Sequence, residues 1–312
     1  MKHNRRLHLT IIAVPLLAVL GAAGAWIASA PRPAFPLHKD AHLAPGDPDR
    51  GRIVFTAADC ASCHASPGQN DRLKLGGGMV LDSPYGAFHV PNISPDPNDG
   101  IGGWTVADLA NALLSGVSPR GEHYYPVFPY TSFAHMTLDD VRDLMAYLRT
   151  LPPVSRKTPP HELPFPLSVR RAIGLWKLLF FDPAQLPKEP GRGADWNRGR
   201  YLVEALGHCA ECHSTRNLFM AIKPDTRFAG GPDPGEVGYV PNITPAGIGG
   251  WSRGEISETL RTGITPDLRK LGSTMAEVVH DTASLAQADR DAIATYISTL
   301  PARPTPNPSA SQ

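Results

Sequence analysis

The pentapeptides CASCH at residues 60–64 and CAECH at residues 209–213 decide the fold of this 312-residue chain. Each has the pattern C-x-x-C-H, which is the attachment signature of c-type haem. Two thiols form thioethers with the haem vinyl groups, and the histidine that follows binds the iron. The two motifs contain all four cysteines of the chain. We therefore predict two covalently attached haems c, one held by Cys60, Cys63 and His64 and the other by Cys209, Cys212 and His213.

Two other functions of paired cysteines fit these motifs less well. A redox-active C-x-x-C pair would not need histidine at the next position twice. A zinc site draws its ligand pairs from within roughly 15–20 residues of each other, whereas these motifs begin 149 residues apart. The spacing therefore favours two separate haem sites.

Three further segments recur around the motifs in the same order, 147 to 150 residues apart. They are Arg-Gly-Arg (50–52 and 198–200), Val-Pro-Asn-Ile (90–93 and 240–243) and Ile-Gly-Gly-Trp (101–104 and 248–251). Self-similarity at a fixed offset indicates a duplicated unit. We predict two tandem cytochrome c domains, at residues 45–151 and 195–301, with one haem in each.

Helix signals dominate each repeat. Asp47-Pro48 combines an N-cap residue with proline in the first turn, and Ser252 with Glu255 has the capping-box pattern. Thr137 precedes apolar residues at helical spacing. The 33 prolines and 29 glycines indicate many turns, and no long stretch alternates between apolar and polar residues. The predicted fold class is all-α, with short helices and long loops that wrap the haem.

The first 30 residues have the pattern of an export signal or a membrane anchor. Basic residues at positions 2, 5 and 6 precede an apolar segment from residue 7 to residue 30. Cleavage could follow Ala28-Ser29-Ala30, but we favour a retained anchor, since the segment reaches the ~20 residues that span a bilayer. Positive charge before the segment places the haem domains outside the cytoplasm. The predicted location is the periplasmic face of the bacterial inner membrane, or the periplasm if the signal is cleaved.

Two segments flank the second repeat. Residues 152–194 form a proline-rich linker with an apolar middle, which predicts a short helix between the domains or, alternatively, a docking surface for a partner subunit. Residues 302–312 are predicted to be a disordered tail. The net charge of +1 gives no indication of nucleic-acid binding.

Met275 is the predicted sixth ligand of the second haem iron. Methionine opposite histidine is a common ligand of c-type haem and raises its reduction potential. In the second repeat Met275 follows Pro266 by nine residues, and nine residues after the equivalent Pro119 stands Phe128. A phenylalanine cannot bind iron, so the first haem needs another sixth ligand or has none.

Three alternatives remain for the first haem. Met136, eight residues after Phe128, binds the iron if the loop folds back. His135 is its neighbour and would lower the potential. The third alternative is an open iron with Phe128 packed over it. His123 is predicted to be a solvated loop histidine.

The chain also resembles a known family. The repeated motifs, YPVFPY at residues 125–130 and MAEVV at residues 275–279 are similar to the cytochrome c subunits of membrane-bound bacterial dehydrogenases for alcohols, gluconate and sugars, and to cytochromes that serve molybdenum hydroxylases. The resemblance covers residues 45–301. Many members have methionine where this chain has Phe128, and many have three haem motifs, so the chain departs from the family at both points.

The resemblance implies an electron-transfer protein rather than an enzyme. Electrons would pass from a periplasmic or membrane-bound dehydrogenase subunit, through the two haems, to a quinone, a cytochrome or a terminal oxidase. The alternative is a di-haem enzyme such as a cytochrome c peroxidase or a sulfur-compound dehydrogenase, which requires one open iron.

Overall fold

The computed structural model describes residues 2–37, 43–233 and 238–307, with side chains from residue 15 onward. Helices joined by long loops make up most of the regular structure. The α-helices are α1 (Lys2–Ala28), α2 (Pro48–Ala57), α3 (Cys60–His64), α4 (Val106–Ser115), α5 (Tyr130–Phe133), α6 (Leu138–Leu148), α7 (Ala172–Phe180), α8 (Ala194–Tyr201), α9 (Pro245–Ile248), α10 (Arg253–Thr262), α11 (Thr274–Ala283) and α12 (Gln287–Ile297). The strands are β1 (Val80–Ser83), β2 (Gly86–His89), β3 (Gly231–Pro232) and β4 (Tyr239–Val240).

The prediction of a mostly helical fold is confirmed, and four short strands add to it. They form two antiparallel hairpins, β1 with β2 and β3 with β4, and each hairpin follows one of the C-x-x-C-H motifs. Strands of four and two residues are too short to produce a visible alternation of apolar and polar residues. The described chain is therefore mostly helical, with two small hairpins in its loops.

The first and last helices of each half pack against each other, α2 against α6 and α8 against α12. The Asp47 side chain caps α2 by accepting from two backbone N–H groups, and Thr137 caps α6. The apolar side chains predicted to line one face of α6 are at most 3% exposed: Val141, Leu144, Met145 and Leu148. The caps and the apolar face that the sequence predicts for these two helices are confirmed.

The glycine of each Arg-Gly-Arg segment marks the point where these helices cross. A Cβ atom on Gly51 would lie 2.8 Å from the Cβ of Tyr147, and one on Gly199 would lie 3.0 Å from the Cβ of Tyr296. In both halves it would also overlap a backbone carbonyl of the facing helix. Only glycine allows this approach, which explains why glycine recurs at the centre of the Arg-Gly-Arg segment.

We expect Gly199→Ala to destabilise the protein by about 1–3 kcal/mol, the usual effect of overpacking a close contact. Thermal unfolding of the haem-loaded protein measures the change. Gly250→Ala is the control, because a Cβ atom there meets nothing within 4 Å. An unchanged unfolding midpoint in Gly199→Ala would contradict the close crossing.

The end of α1 lies against the start of α7. Arg171 donates from Nη2 to the Trp26 carbonyl at 2.7 Å, and its guanidinium lies over the Trp26 ring, 4.5 Å from the centroid. Met1 and the side chains of residues 2–14, which include the basic start of the predicted anchor, lie outside the described residues. Among the residues that the structure describes, no helix is both long and apolar enough to cross a bilayer.

Helix α7 forms in the apolar middle of the linker and contacts both halves of the chain. Lys177 Nζ donates to the carbonyl groups of Ser115 and Gly116 at 2.7 and 2.8 Å. Trp176 Nε1 donates to the Phe219 carbonyl at 2.8 Å in the second half. The linker is therefore held in place by specific hydrogen bonds.

The described part of the predicted disordered tail is bonded to the second half. The carbonyl groups of Arg303 and Pro306 accept hydrogen bonds from Asn242 Nδ2 and the Tyr239 hydroxyl, each at 2.8 Å. Residues 302–307 differ in this respect from the sequence prediction, and residues 308–312 lie outside the described residues.

The two halves also contact each other directly. Thr131 Oγ1 donates to Glu211 Oε1 at 2.7 Å, which joins α5 to the second C-x-x-C-H motif. The Tyr201 hydroxyl donates to the Asp140 carboxylate and accepts from the Thr137 N–H. The first of these contacts places the second motif at the junction of the halves.

Candidate haem-attachment sites

Each C-x-x-C-H motif forms a single helical turn. The first is α3, and the second begins with a 3₁₀ turn at Cys209–Glu211. The residue before each turn has a left-handed backbone, with φ of 52° at Asp59 and 37° at His208. Since side chains three positions apart share one face of a helical turn, the two thiols of each motif point to the same side, as two thioethers to one porphyrin require.

Both motif histidines make the same hydrogen bond. The Nδ1 atom of His64 lies 2.8 Å from the carbonyl oxygen of Pro91, and Nδ1 of His213 lies 2.7 Å from that of Pro241. A carbonyl only accepts, so Nδ1 carries the proton and Nε2 keeps its lone pair. Burial also lowers the pKa of both imidazoles. Each ring is therefore neutral, fixed in orientation and able to bind iron through Nε2.

Buried asparagines hold the two accepting carbonyl groups in place. Asn92 donates from Nδ2 to the Val154 carbonyl at 2.7 Å, and Asn242 donates to the Arg303 carbonyl at 2.8 Å. Both asparagines are 4% exposed. Both side chains bond to the backbone beyond the last helix of their half, and Asn242 also bonds to the hydroxyls of Thr244 and Thr305. These bonds explain why asparagine recurs in the Val-Pro-Asn-Ile segment.

The two motifs approach each other at the junction of the halves. Burial raises the pKa of all four thiols. For Cys63, the charges of Asp59 and Cys212 add to burial and raise the pKa to about 11. Asp59 likewise contributes to the raised pKa of Cys212. The thiols of one motif thus lie within electrostatic range of the other motif.

The structure places Met275 in the first turn of α11, where it is partly exposed. Helix α11 packs on α10 in its own half and on α2 of the first half. Met275 lies outside the hydrophobic core of the described residues. Its thioether is therefore not part of the packed core.

Met136 and Phe128 both lie in the apolar interior of the first half. Met136 is fully buried, in the turn before α6, and belongs to the core on which Cys60 packs. The Phe128 ring forms an edge-to-face pair with Tyr124, with centroids 5.6 Å apart, and packs at 5.8 Å from Phe133. Phe128 thus fills space within an aromatic cluster.

Two other histidines of the first half have protein partners. His135 Nδ1 lies 2.6 Å from the Ala184 carbonyl in the linker. His123 is only 3% exposed, and its Nε2 lies 2.9 Å from the Ser29 carbonyl. The prediction of a solvated His123 is therefore wrong, because the segment after α1 covers it.

These residues fit covalently attached haem. Each half offers two thiols on one side of a helical turn and an adjacent imidazole with Nε2 available. The carbonyl groups of Pro91 and Pro241 are the functional atoms that the sequence reasoning missed. Their signal was present, since Val-Pro-Asn-Ile recurs at almost the same offset as the C-x-x-C-H motif.

Comparison with known proteins gives the same cofactor. A family model described as cytochrome c matches residues 48–152. The chain is 48% identical over 293 residues to a di-haem c-type cytochrome of Cereibacter sphaeroides, covering 92% of this chain and 96% of that protein. The prediction of two covalently bound haems c is confirmed.

Two further relatives are components of dehydrogenases. The chain is 38% identical over 257 residues to a subunit of the nicotinate dehydrogenase of Pseudomonas putida, covering 82% of this chain and 21% of that protein. It is 37% identical over 265 residues to the fructose dehydrogenase cytochrome subunit of Gluconobacter japonicus, covering 81% of this chain and 52% of that protein. The chain thus spans about a fifth and about half the length of these two relatives.

Proposed function

Since this chain belongs to the di-haem c-type cytochromes, we propose that it relays electrons from a dehydrogenase subunit to the respiratory chain. Bound haem supplies reversible one-electron chemistry at iron, and the protein holds, orients and encloses it. The observation that carries the proposal is the matched hydrogen bond from His64 to Pro91 and from His213 to Pro241. Both halves present an oriented Nε2 atom, and their attachment turns meet at one junction.

The duplicated elements support two tandem cytochrome c domains, at residues 45–151 and 195–301, joined by the linker 152–194. Each half has the same pair of crossing helices, with glycine at the crossing, and the same hairpin after its haem motif. Iron in the first domain is bound by His64 and in the second by His213. Met275 completes the second site. Met136 completes the first, since it is buried in the first half, in the turn before α6.

The protein acts at the periplasmic face of the inner membrane, where residues 1–30 anchor it. The surface of α1 supports this location. Leu16, Leu17, Val19 and Leu20 are between 56% and 67% exposed, so the rest of the described chain leaves this apolar helix uncovered.

The electron donor is a membrane-bound or periplasmic dehydrogenase subunit, as the fructose dehydrogenase relative suggests. The acceptor is a quinone, a cytochrome or a terminal oxidase.

The function is electron transfer and not catalysis, and the relative named as the cytochrome subunit of fructose dehydrogenase supports this. We expect the purified protein to take up two electrons per chain reversibly and to consume no hydrogen peroxide. An optical redox titration counts the electrons, and an assay of peroxide loss checks for enzymatic turnover. The dehydrogenase subunit should co-purify with the full-length chain from membranes.

A catalytic haem would give the opposite result. High-spin iron that binds carbon monoxide and consumes peroxide would contradict the relay and favour a peroxidase. Reversible uptake of fewer than two electrons would contradict the assignment of a working haem to each half.

A further inference from the structure

Two acidic side chains meet between the halves of the chain. Asp59 immediately precedes the first haem motif, and Asp281 lies in the last turns of α11. Asp281 is only 7% exposed. Oδ1 of Asp59 and Oδ2 of Asp281 are both buried, and neither accepts a hydrogen bond from any donor in the described part of the chain. The two carboxyl groups lie within hydrogen-bonding reach of each other.

A hydrogen bond between two carboxyl groups needs a proton, because an ionised carboxylate only accepts. Two ionised carboxylates in contact also repel each other, so such a pair retains one proton to a higher pH than either acid alone. Burial and the neighbouring Asp281 raise the pKa of Asp59 to about 8. At neutral pH the pair therefore holds one proton, and it loses that proton as the pH rises through about 8.

The charged groups around the pair only partly offset this repulsion. Arg72, in the loop after the first haem motif, pairs with Glu277 and donates from Nη2 to Asp281 Oδ1 at 3.4 Å. His280 Nδ1 lies 3.0 Å from the same oxygen. Arg72 is therefore shared between two carboxylates of α11, and its charge is a minor influence on Asp59.

The remaining neighbours of Asp59 are polar or apolar. The Ser62 hydroxyl donates to the Asp59 backbone carbonyl at 2.8 Å and also favours the ionised side chain. From the second half, the His208 ring lies against the backbone of Ala58. Cys60 and Cys63 become uncharged thioethers when haem is attached. Asp59 is partly exposed, so protons can exchange with water.

We propose that Asp59 and Asp281 share one proton whose uptake is coupled to reduction of the first haem. The proposal rests on the electron relay proposed above. Asp59 is bonded directly to Cys60, so its charge lies close to the attached haem. A negative charge there disfavours the added electron, and a proton that neutralises the charge raises the reduction potential.

Above a pH of about 8, where Asp59 is ionised in the oxidised protein, one electron from the donor would reduce Fe(III) of the first haem to Fe(II), and one proton from water would bind the Asp59 carboxylate. When the electron passes on, the proton returns to water. Below pH 8 the carboxyl is already protonated in both redox states, so the first haem's potential is independent of pH. The potential falls as pH rises through about 8, and the second haem's potential is less affected.

Redox titration of the full-length, haem-loaded protein at pH values on both sides of 8 tests the proposal. We expect one of the two optical components to fall in potential with rising pH and Asp59→Asn to abolish that dependence, because an amide does not ionise. Asp281→Asn removes a like charge, so it should move the dependence to lower pH. Asp82→Asn, an exposed acid in β1, is the control and should leave the dependence unchanged. Infrared difference spectra should show a carboxylic-acid C=O band that is lost in Asp59→Asn.

The possible failures are distinct. If both haems take up electrons reversibly but neither potential depends on pH near 8, the shared proton is refuted and the relay stands. A pH dependence that persists in Asp59→Asn also refutes the shared proton. If Asp59→Asn does not fold, Asp281→Asn is the test, and a pH dependence that does not move to lower pH refutes the shared proton. If the wild-type protein cannot be reduced reversibly, the relay itself fails.

Discussion

Replacing both Cys209 and Cys212 by alanine is expected to lower the haem content of the chain from two to one. In the proposed sites each half holds its haem through its own pair of thiols, and the first motif shares no cysteine with the second. Without thioethers, haem is retained only by its axial ligands and apolar contacts. The absorbance of the alkaline pyridine haemochrome per mole of protein measures the loss, and the mass of the intact chain confirms it.

Glu211→Ala is the matched control for this experiment. It changes a residue between the same two cysteines, and it removes the contacts of Glu211 with Thr131 and Arg216, but it leaves both thiols. This variant should keep two haems. Two covalent haems in the double-cysteine variant would overturn the attachment chemistry, whereas loss of both would show that the halves cannot load haem independently.

Replacing Met275 by leucine is expected to produce the second largest effect, a lower potential and an open coordination position at one haem. A methionine thioether opposite histidine stabilises the reduced iron, and leucine has similar volume but no ligand atom. Optical spectra should show that one of the two haems becomes high-spin and binds carbon monoxide. Redox titration should show one component displaced to lower potential while the other is retained.

Met220→Leu is the control. Met220 lies in the same half, in the loop after the haem motif, and is 37% exposed. It should leave both spectra and both potentials unchanged. If Met275→Leu also leaves them unchanged, the second iron has a different sixth ligand. If the potentials of both components shift, Met275 influences both haems, which the separate attachment motifs do not predict.

The helical framework was predictable because its signals are local. Capping residues such as Asp47, Thr137 and Ser252 act on N–H groups two or three residues away, so a short window of sequence contains the whole interaction. The apolar face of α6 is likewise set by spacing within one helix. The same locality applies to the C-x-x-C-H turns, in which five consecutive residues supply both thiols and the imidazole.

The contacts that the sequence did not predict join residues far apart in the chain. The carbonyl group of Pro91 orients a histidine 27 positions earlier, and a backbone atom leaves no signature in residue type. His123 is buried by Ser29, 94 positions away. The pairing of Asp59 with Asp281 joins different halves, so neither copy of the repeat reveals it alone. Repetition of Val-Pro-Asn-Ile was a trace in the sequence of the histidine contacts alone.

The asparagine contacts extend beyond the proposed end of each domain, at residues 151 and 301. Asn92 is held by Val154 and Arg156, and Asn242 by Arg303 and Thr305, positions that lie beyond the last helix of each half. A gene fragment that stopped at either helix end would delete the support of the carbonyl group that orients the histidine. The Thr158 hydroxyl also accepts a hydrogen bond from the Asn92 N–H. When halves are exchanged between related genes, a crossover after Thr158 would therefore keep the support of the Pro91 carbonyl. A crossover at the end of the helix would remove it and leave the histidine poorly oriented.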